Sequence, residues 1–255
     1  MKPDRVLRAL AALAGHPEPT GVLDLGIELG EPAPSLHRTL QRLIEYELVV
    51  QNPATKRYQL GPAVLVLADA YRRQSTLVSI AQPVLDELGS SLDETVFLCQ
   101  LIEDAAVVVA TAESRRTFQY FMRLGHRMPF HAAASARAIL AFQDPAQIDC
   151  LLDREGSDRY TDRTMIEIEE LKAELDRVRR RGYAVCDQEI EVGVKALAVP
   201  VRDASGHVIA SIAVVAPRER LVRSPRHRPI QSLQSAAREV SKGLGFRTHS
   251  RRLDS

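Results

Sequence analysis

The chain has 255 residues, 45% of them apolar, and its 34 lysine and arginine residues nearly balance 33 aspartate and glutamate residues. This composition is typical of a folded globular protein, and no run approaches the roughly 18 apolar residues that a membrane-spanning helix needs. The start lacks the apolar core of a signal peptide, and the three cysteines are too far apart for a disulfide framework or a CxxC zinc site, so we expect a reduced, cytoplasmic protein.

The first sixty residues carry the pattern of three short helices followed by a hairpin, in a chain long enough for two domains. Apolar residues recur at helical spacing before Gly15, before Gly30 and after Pro34. Two β-prone runs then flank a polar turn at residues 52–55. This order predicts a winged helix-turn-helix in residues 1–61, a module whose third helix enters the major groove of double-stranded DNA.

Side chains that can donate hydrogen bonds to phosphates or base edges lie at two places. One is the face of the third helix opposite its leucines, and the other is the turn of the hairpin. We predict DNA contacts from Ser35, His37, Arg38, Thr39 and Arg42 on the helix and from Lys56 and Arg57 in the hairpin. The alternative is the solvated face of an ordinary three-helix domain.

The net charge of +1 does not exclude DNA, because it averages an acidic body and an arginine-rich end. Residues 218–255 hold ten basic against three acidic residues. We expect the arginines at 218, 220, 223, 226 and 228 to form a solvated or intersubunit segment.

Residues 62–92 are predicted to be helical, with a break near residues 74–76. The first helix, at residues 62–76, is apolar nearly all round, which an isolated surface helix cannot tolerate. We expect this linker helix to pack against a second copy of the chain.

The rest of the chain, residues 77–255, alternates strand and helix patterns. Strands are predicted at residues 95–102, 105–112, 118–124, 194–201 and 208–215, and helices at residues 132–142, 147–152, 166–181 and 229–244. The predicted fold class is α+β: an N-terminal winged helix-turn-helix, a linker helix and a mixed α/β domain on an antiparallel sheet.

Several stretches resemble the IclR family of bacterial transcription regulators. They are Ser35 to Leu43, Arg57 to Pro62, Pro129 to Ala132, Leu171 to Ala184, Asp187 to Glu189 with Gly193, and Ala198 to Val201. The resemblance covers essentially the whole chain and implies a GAF-like α/β effector-binding domain behind the winged helix. It also implies dimers, or dimers of dimers, on pseudopalindromic operators. The chain departs from the family's pattern at Ala33-Pro34, and because Pro34 lacks an N–H, phosphate anchoring is expected to shift to Ser35 and the hairpin.

The resemblance also implies where an effector binds. In relatives that sense small polar acids, the ligand carboxylate meets backbone amides at a helix start that corresponds here to Ala133, Ala134 and Ser135. The polar side chains that those relatives add correspond here to Cys186, Ala196, Ala213 and Val215. Because most of these polar side chains are absent, we expect the pocket to reject glyoxylate-sized acids and to prefer an aromatic or largely apolar carboxylate. A weaker resemblance to the branch that regulates aromatic-acid catabolism points the same way.

Further effector contacts are predicted around this helix start. Arg127 and His131 flank it and are candidates to neutralise a carboxylate. The predicted walls are Phe118, Tyr120, Phe121, Met128 and Phe130. Asp187 and Glu189 alternate along a predicted strand, which would put both on one face, about 7 Å apart. We expect them to be pocket-rim or hydrogen-bonding residues. The alternatives are core packing for the aromatic residues, an ion pair for Arg127 and a structural role for His131.

No catalytic or metal-binding motif emerges from the sequence. The seven histidines show no HxxxH or HExxH spacing, and neither a GxSxG elbow nor a glycine-rich phosphate loop occurs. We expect no enzymatic activity, no metal and no cofactor; the expected partners are operator DNA, an organic-acid effector and a second copy of the chain, with no membrane. Two alternatives are a small-molecule-binding enzyme with a vestigial winged helix and a protein-interaction module.

Overall fold

The computed structural model describes residues 3–114, 116, 119–155, 158–223 and 229–247. Two compact units make up the chain, Met1–Ser75 and Thr76–Ser255. Each unit has a hydrophobic core of its own. Within the described ranges, no helix combines the length and the apolar character that crossing a bilayer requires.

The first unit is a winged helix-turn-helix, as predicted. Its elements are α1 (Pro3–Gly15), α2 (Val22–Leu29), α3 (Ala33–Glu45), β1 (Val49–Gln51), β2 (Tyr58–Leu60) and α4 (Ala63–Gln74). Gly30 follows α2 in the left-handed region, at φ 65°, where glycine carries no steric penalty. The leucines of α3 at positions 36, 40 and 43 are buried in the same core as Leu25, Val49 and Tyr58. The helix therefore buries one stripe and exposes the opposite face.

The antiparallel hairpin of β1 and β2 forms the wing. Gly61 follows the hairpin at a position where any residue with a Cβ atom would clash with the backbone. Its N–H donates to the carbonyl oxygen of Leu48 (2.9 Å), and a Cβ atom at Gly61 would lie 2.2 Å from the carbonyl oxygen of Glu47. The exit from the wing thus depends on a close approach of two backbone segments.

The linker helix α4 carries an uncovered apolar face. None of its twelve residues is buried, and Leu65, Val66 and Leu67 are 72%, 66% and 61% exposed. A contiguous apolar patch of this kind is unfavourable in water and is typical of an interaction surface. Packing of this face against a second copy of the chain stays a prediction.

The second unit is an antiparallel sheet combined with helices, as predicted, and the helices pack on both faces of the sheet. Its helices are α5 (Thr76–Leu92), α6 (Ala134–Leu140), α7 (Pro145–Glu155), α8 (Ile168–Arg181), α9 (Arg218–Arg223) and α10 (Pro229–Gly243). Its strands are β3 (Thr95–Ile102), β4 (Ala105–Ala112), β5 (Arg127–Met128), β6 (Ala184–Asp187), β7 (Val194–Arg202) and β8 (Val208–Pro217). The strand order is β5-β4-β3-β8-β7-β6.

Alternation along the strands divides this unit into two cores. On β8, Ile212 and Val214 belong to the core shared with α5 and α10. Ala213 and Val215 belong to the core shared with α6, α7 and α8. The second of these cores contains the cavity to which most predicted effector residues belong.

The predicted third strand at residues 118–124 is wrong. Phe118 lies outside the described residues, and residues 119–124 form no strand. The strand that follows β4 is instead the short β5, which pairs with β4 through Met128 and Ala106. Gly125, at φ 78°, turns the chain just before β5, and its N–H donates to the carbonyl oxygen of Val108 on β4 (2.8 Å), so the hydrogen bonds with β4 begin at this turn.

The arginines after β8 are not solvated throughout. Arg218 pairs with Asp187 (2.8 Å), and Arg220 pairs with Glu94 (3.1 Å). Acidic side chains of the same unit therefore hold these two residues, and the expected intersubunit position of the segment stays a prediction. The side chain of Arg223, and residues 226 and 228, lie outside the described part of the chain.

Candidate functional site

The exposed face of α3 presents the basic side chains predicted from the sequence. His37, Arg38 and Arg42 lie on the side opposite the buried leucines. Because Arg38 and Arg42 are four residues apart, their side chains project from the same helix surface. A planar guanidinium group can bind phosphate oxygens or the O6 and N7 atoms of guanine with two parallel hydrogen bonds. This face has the chemistry to contact double-stranded DNA.

Thr39 does not belong to this face. It is 1% exposed, and its hydroxyl donates to the carbonyl oxygen of Ser35, four residues earlier (3.3 Å). Its spacing of three residues after Leu36 and four before Leu43 places it on the buried stripe. The predicted exposed position of Thr39 is therefore wrong, and its polar group is used within the helix.

Ser35 is half-buried at the start of α3 and is tied to α1. Its hydroxyl accepts a hydrogen bond from Nη1 of Arg5, and Nη2 of Arg5 pairs with Glu31 (2.8 Å). The hydroxyl proton of Ser35 is not used in that bond and can still reach an acceptor such as a phosphate oxygen. No local pattern in the sequence reveals Arg5, because only the tertiary fold brings α1 beside the first turn of α3.

The turn of the wing is held by Asn52, whose Oδ1 accepts hydrogen bonds from the backbone N–H groups of Ala54 and Thr55, at 2.9 and 3.0 Å. Lys56 follows in the left-handed region, at φ 58°, and its side chain is exposed. Arg57 is also exposed, but its Nη1 donates to the carbonyl oxygen of Pro19 (3.1 Å). Lys56 thus presents its charge to solvent, whereas Arg57 ties the wing to the chain before α2.

A cavity of about 390 Å³ lies in the second unit, between the sheet and α6. Its volume is within the usual range of small-molecule sites. The predicted effector residues that line it are Arg127, Met128, Ala134, Ser135, Cys186, Ala196 and Val215, together with the predicted walls Tyr120 and Phe121. Most of the lining is therefore apolar, with polar groups confined to a few positions.

Other lining residues were not predicted. They are Phe97, Met122, Arg123, His126, Pro129, Tyr160, Ile190, Glu191 and Val194; Ala133, at the predicted helix start, also lines the cavity. Val194 lies two residues before Ala196 on β7, so strand alternation would have identified it. Residues from the loops before β5 and after β6 follow no periodicity, and only the tertiary structure places them beside the cavity.

The start of α6 borders the cavity. Ala133 is the N-cap residue, and Ala134 and Ser135 are the first residues of the helix, whose N–H groups have no acceptor within the helix. The buried Ser135 hydroxyl lies beside the Cys99 thiol and has no oxygen or nitrogen partner among the described residues. These donors can hold a carboxylate.

The exposed side of the cavity carries more positive than negative charge. Arg123, His126 and Arg127 line it with exposed side chains, and the carboxylate in the described lining is that of Glu191. A cleft lined by one sign of charge raises the local concentration of ligands of the opposite sign. Arg123 and Arg127 outnumber the Glu191 carboxylate, so the exposed side of the cavity has a net positive charge.

Asp187 and Glu189 do not share a strand face, and neither lines the cavity. β6 ends at Asp187, and Gln188 is in the left-handed region, at φ 68°, which turns the chain. Asp187 binds Lys195 (3.0 Å) and Arg218 (2.8 Å). Burial raises the pKa of Asp187, but the hydrogen bonds from these cations outweigh burial and leave the pKa below its ordinary value. The predicted placement of both carboxylates on one strand face at the pocket rim is wrong, whereas the alternative that they are hydrogen-bonding residues is confirmed.

Glu189 is instead the partner of Arg137, a fully buried arginine on α6 that no sequence pattern reveals. Nη2 of Arg137 donates to Oε1 of Glu189 (2.8 Å) and to the carbonyl oxygens of Ala132 (3.1 Å) and Val185 (2.9 Å). Burial raises the pKa of Glu189, and the Arg137 guanidinium counteracts this effect. Because Ala132 precedes α6 and Val185 lies on β6, Arg137 fastens the helix start beside the cavity to the sheet.

Phe130, His131 and Ala213 are also predicted effector residues that the structure places outside the lining. Phe130 lines a neighbouring cavity of about 260 Å³, and Ala213 is fully buried in the sheet. Nε2 of His131 lies 2.9 Å from the carbonyl oxygen of Asp158, and its ring stacks on Tyr160 with the centroids 5.6 Å apart. His131 therefore contacts Tyr160, which lines the cavity.

The cavity lacks an activated nucleophile at its cysteines. Burial raises the pKa of Cys186, which lines the cavity, and raises the pKa of Cys99 to about 12, so both thiols stay protonated at neutral pH. Among the described residues, no three His, Cys, Asp or Glu side chains are grouped so that they could hold a metal ion.

Known proteins share both parts of this architecture. The model of the IclR helix-turn-helix domain matches residues 3–53, and that of the bacterial transcriptional regulator IclR C-terminal domain matches residues 70–242. The chain is 29% identical over 242 residues to the HTH-type transcriptional regulator KdgR of Dickeya chrysanthemi, a match that covers 95% of this chain and 79% of the relative.

Two further comparisons agree. The chain is 32% identical over 215 residues to the Pca regulon regulatory protein of Pseudomonas putida, which covers 84% of this chain and 73% of the relative. A solved structure of an IclR transcriptional regulator from Alicyclobacillus acidocaldarius is 25% identical, with a TM-score of 0.84, and the match covers 95% of this chain and 98% of that one. The likeness thus extends over both units.

Proposed function

The chain belongs to the IclR family of bacterial transcriptional regulators, and we propose that it is a ligand-responsive regulator that binds operator DNA through α3 and the wing. The face of α3 carries this proposal: it presents Arg38 and Arg42 opposite a buried leucine stripe, as a helix in the major groove requires. The further proposed contacts are Ser35, His37, Lys56 and Arg57.

We propose that the operator is pseudopalindromic and is bound by a dimer or a tetramer. The exposed leucines and valine of α4 support association, because a second copy would remove their apolar surface from water. A twofold assembly presents two copies of α3 to two half-sites, which doubles the number of phosphate contacts.

We also propose that the cavity in the second unit binds an aromatic or largely apolar carboxylate. Met128, Ala196 and Val215 supply apolar walls, and the start of α6 with the Ser135 hydroxyl supplies donors for one carboxylate. A small acid rich in polar atoms would lose its hydration without gaining partners from these walls. The walls therefore favour a ligand with an apolar body.

A gel shift with duplex DNA from the promoter region of its own gene tests the operator proposal. We expect a sequence-specific complex that weakens as salt rises, because phosphate contacts release counterions. A duplex of equal length and composition but scrambled sequence is the control. A failure to form a specific complex, with and without benzoate, would contradict the proposal.

Benzoate and phenylacetate are expected to raise the melting temperature of the protein, whereas glyoxylate is not, because only the aromatic acids fill the apolar part of the cavity. Ala196→Leu places additional methyl groups in that space, at a cost of about 1–3 kcal/mol, so benzoate affinity should fall by roughly 5- to 150-fold. Calorimetry with benzoate measures this loss. Ala173→Leu, on the exposed face of α8, is the matched control. Stabilisation by glyoxylate alone would overturn the proposed effector class.

A further inference from the structure

A second groove lies between β7 and α10, with a volume of about 730 Å³. It shares no lining residue with the proposed effector cavity. β7 contributes Val199, Pro200 and Arg202, and α10 contributes a row of residues that includes Arg238 and Lys242. Neither the proposed DNA-binding face nor the proposed effector cavity includes this groove.

The groove lies where the pairing of β7 with β6 stops. Ala198, opposite Ala184, is the last residue of β7 paired with β6, so Val199 and the residues after it have no strand on that side. Pro200 has no N–H to offer to an added strand, and proline at such an edge prevents strand addition. The groove is therefore open to a ligand and unsuited to an extended peptide.

Basic side chains dominate the groove. Its lining holds Arg202, Arg238, Lys242 and Arg247 and no carboxylate. Arg202 is engaged, because its Nη1 donates to the carbonyl oxygen of Gly206 (2.7 Å) and its guanidinium lies over the Phe142 ring. Within the described part of the chain, the other three basic residues take part in no ion pair and no side-chain hydrogen bond.

The two cations of α10 lie close together. Arg238 and Lys242 are four residues apart, a spacing at which like charges repel, although Lys242 in the last turn is favoured by the helix dipole. On α8 of the same unit, by contrast, Arg177 and Arg181 both pair with Glu174. An anionic ligand between Arg238 and Lys242 would relieve their mutual repulsion.

The groove is preformed. The Ser241 hydroxyl, 4% exposed as a residue, donates to the carbonyl oxygen of Ala237 (2.6 Å) and accepts a hydrogen bond from the backbone N–H of Arg202 (2.9 Å). This bond ties α10 to β7, so the spacing of the two walls is set before any ligand arrives.

The remaining lining mixes apolar and polar groups. Pro200 and the ring of Phe246 are partly exposed beside the cations, Val199 and Ala237 are buried beneath them, and Gln234 adds an amide. A small inorganic anion would leave this surface uncovered, whereas a ligand that joins phosphate groups to a flat apolar group would cover it. We propose that the groove binds a small phosphorylated molecule of this kind, with the chemistry that a nucleoside diphosphate presents.

Calorimetry with ADP on the full-length protein tests the proposal. We expect ADP to bind, adenosine to bind at least about tenfold more weakly because it lacks the charges, and pyrophosphate to bind more weakly than ADP because it leaves the apolar surface bare. Arg238→Gln and Lys242→Gln should each weaken ADP binding roughly tenfold or more, the loss expected for one charge-assisted hydrogen bond. Both residues are exposed, and removing one of two like charges should leave the melting temperature unchanged or raised.

Controls separate this site from the others. Arg72→Gln removes an exposed arginine of α4 and should leave ADP binding unchanged, as should a double change of Arg123 and Arg127 to Gln at the proposed effector cavity. Lys242→Arg should keep ADP binding. If ADP does not bind, if adenosine binds equally well, or if the cavity variant loses ADP binding while the groove variants keep it, the proposal is overturned. A loss of duplex DNA binding in the groove variants, with no ADP binding to the native protein, would assign the cations to nucleic acid and overturn it as well.

Discussion

Arg137→Met is expected to lower the free energy of unfolding by about 3–5 kcal/mol, the cost of removing one partner of a buried ion pair. Nη2 of Arg137 donates hydrogen bonds to the Glu189 carboxylate and to the carbonyl oxygens of Ala132 and Val185. Methionine fills a similar space but donates no hydrogen bond, so the Glu189 carboxylate stays buried without a counterion. Urea denaturation of the native and variant proteins measures the difference.

The size of this loss is expected to depend on pH. Burial raises the pKa of Glu189, and the variant lacks the guanidinium that counteracts burial. When the pKa of an acid is higher in the folded than in the unfolded state, the folded state binds more protons, and stability falls as pH rises between the two pKa values. The variant should therefore lose less stability near pH 5 than near pH 8.

Two further variants test the physical cause. Arg137→Met combined with Glu189→Met removes both charges and should recover more than half of the loss, since an apolar pair can replace a buried ion pair. Arg154→Met breaks a pair with Asp104 whose side chains are 64% and 46% exposed, and it should cost less than about 1 kcal/mol. If Arg137→Met costs no more than Arg154→Met, the buried pair does not hold α6 to the sheet.

Arg38→Gln is expected to weaken operator binding by about 1–3 kcal/mol for each copy of α3 on the DNA. Arg38 is exposed on the proposed DNA-binding face, and glutamine cannot reproduce its charge or its paired donors. Benzoate binding should not change, because Arg38 belongs to the other unit. Fluorescence anisotropy with labelled operator at two salt concentrations gives the loss and shows whether the contact is to phosphate, in which case the salt dependence becomes shallower.

Arg72→Gln is the matched control for this measurement. It removes the same charge from the same unit, on α4 and away from α3. We expect its operator affinity to stay within about twofold of the native value, apart from a small general effect of net charge. Equal losses in both variants would mean that Arg38 acts only through net charge, and a parallel loss of benzoate binding by Arg38→Gln would show a structural role.

Periodicity predicted most of the fold. The leucine spacing of α3 and the alternation in β3 and β4 follow from the local sequence, because a helix or strand with one apolar face has few ways to bury it. The same reasoning would have placed Thr39 correctly, because Leu36, Thr39, Leu40 and Leu43 form one buried stripe. Thr39 was predicted to be exposed because its side chain carries a hydroxyl group. Residues 119–124 did not form the expected strand, since pairing with β4 depends on the turn at Gly125.

By itself, the sequence determined the winged helix, the exposed cations of α3 and the antiparallel sheet, because each depends on residues close together in the chain. The apolar character of the cavity walls followed from the resemblance to the IclR family, since those residues are far apart in the chain. Only the tertiary structure decided which polar groups face the cavity. Gln188 takes a left-handed conformation that its residue type does not favour, and this single turn separates Asp187 from Glu189. Glu189 then meets Arg137, fifty-two residues away along the chain. Such a pairing leaves no local signal, because it is selected by the low dielectric of a core in which each charge needs a partner.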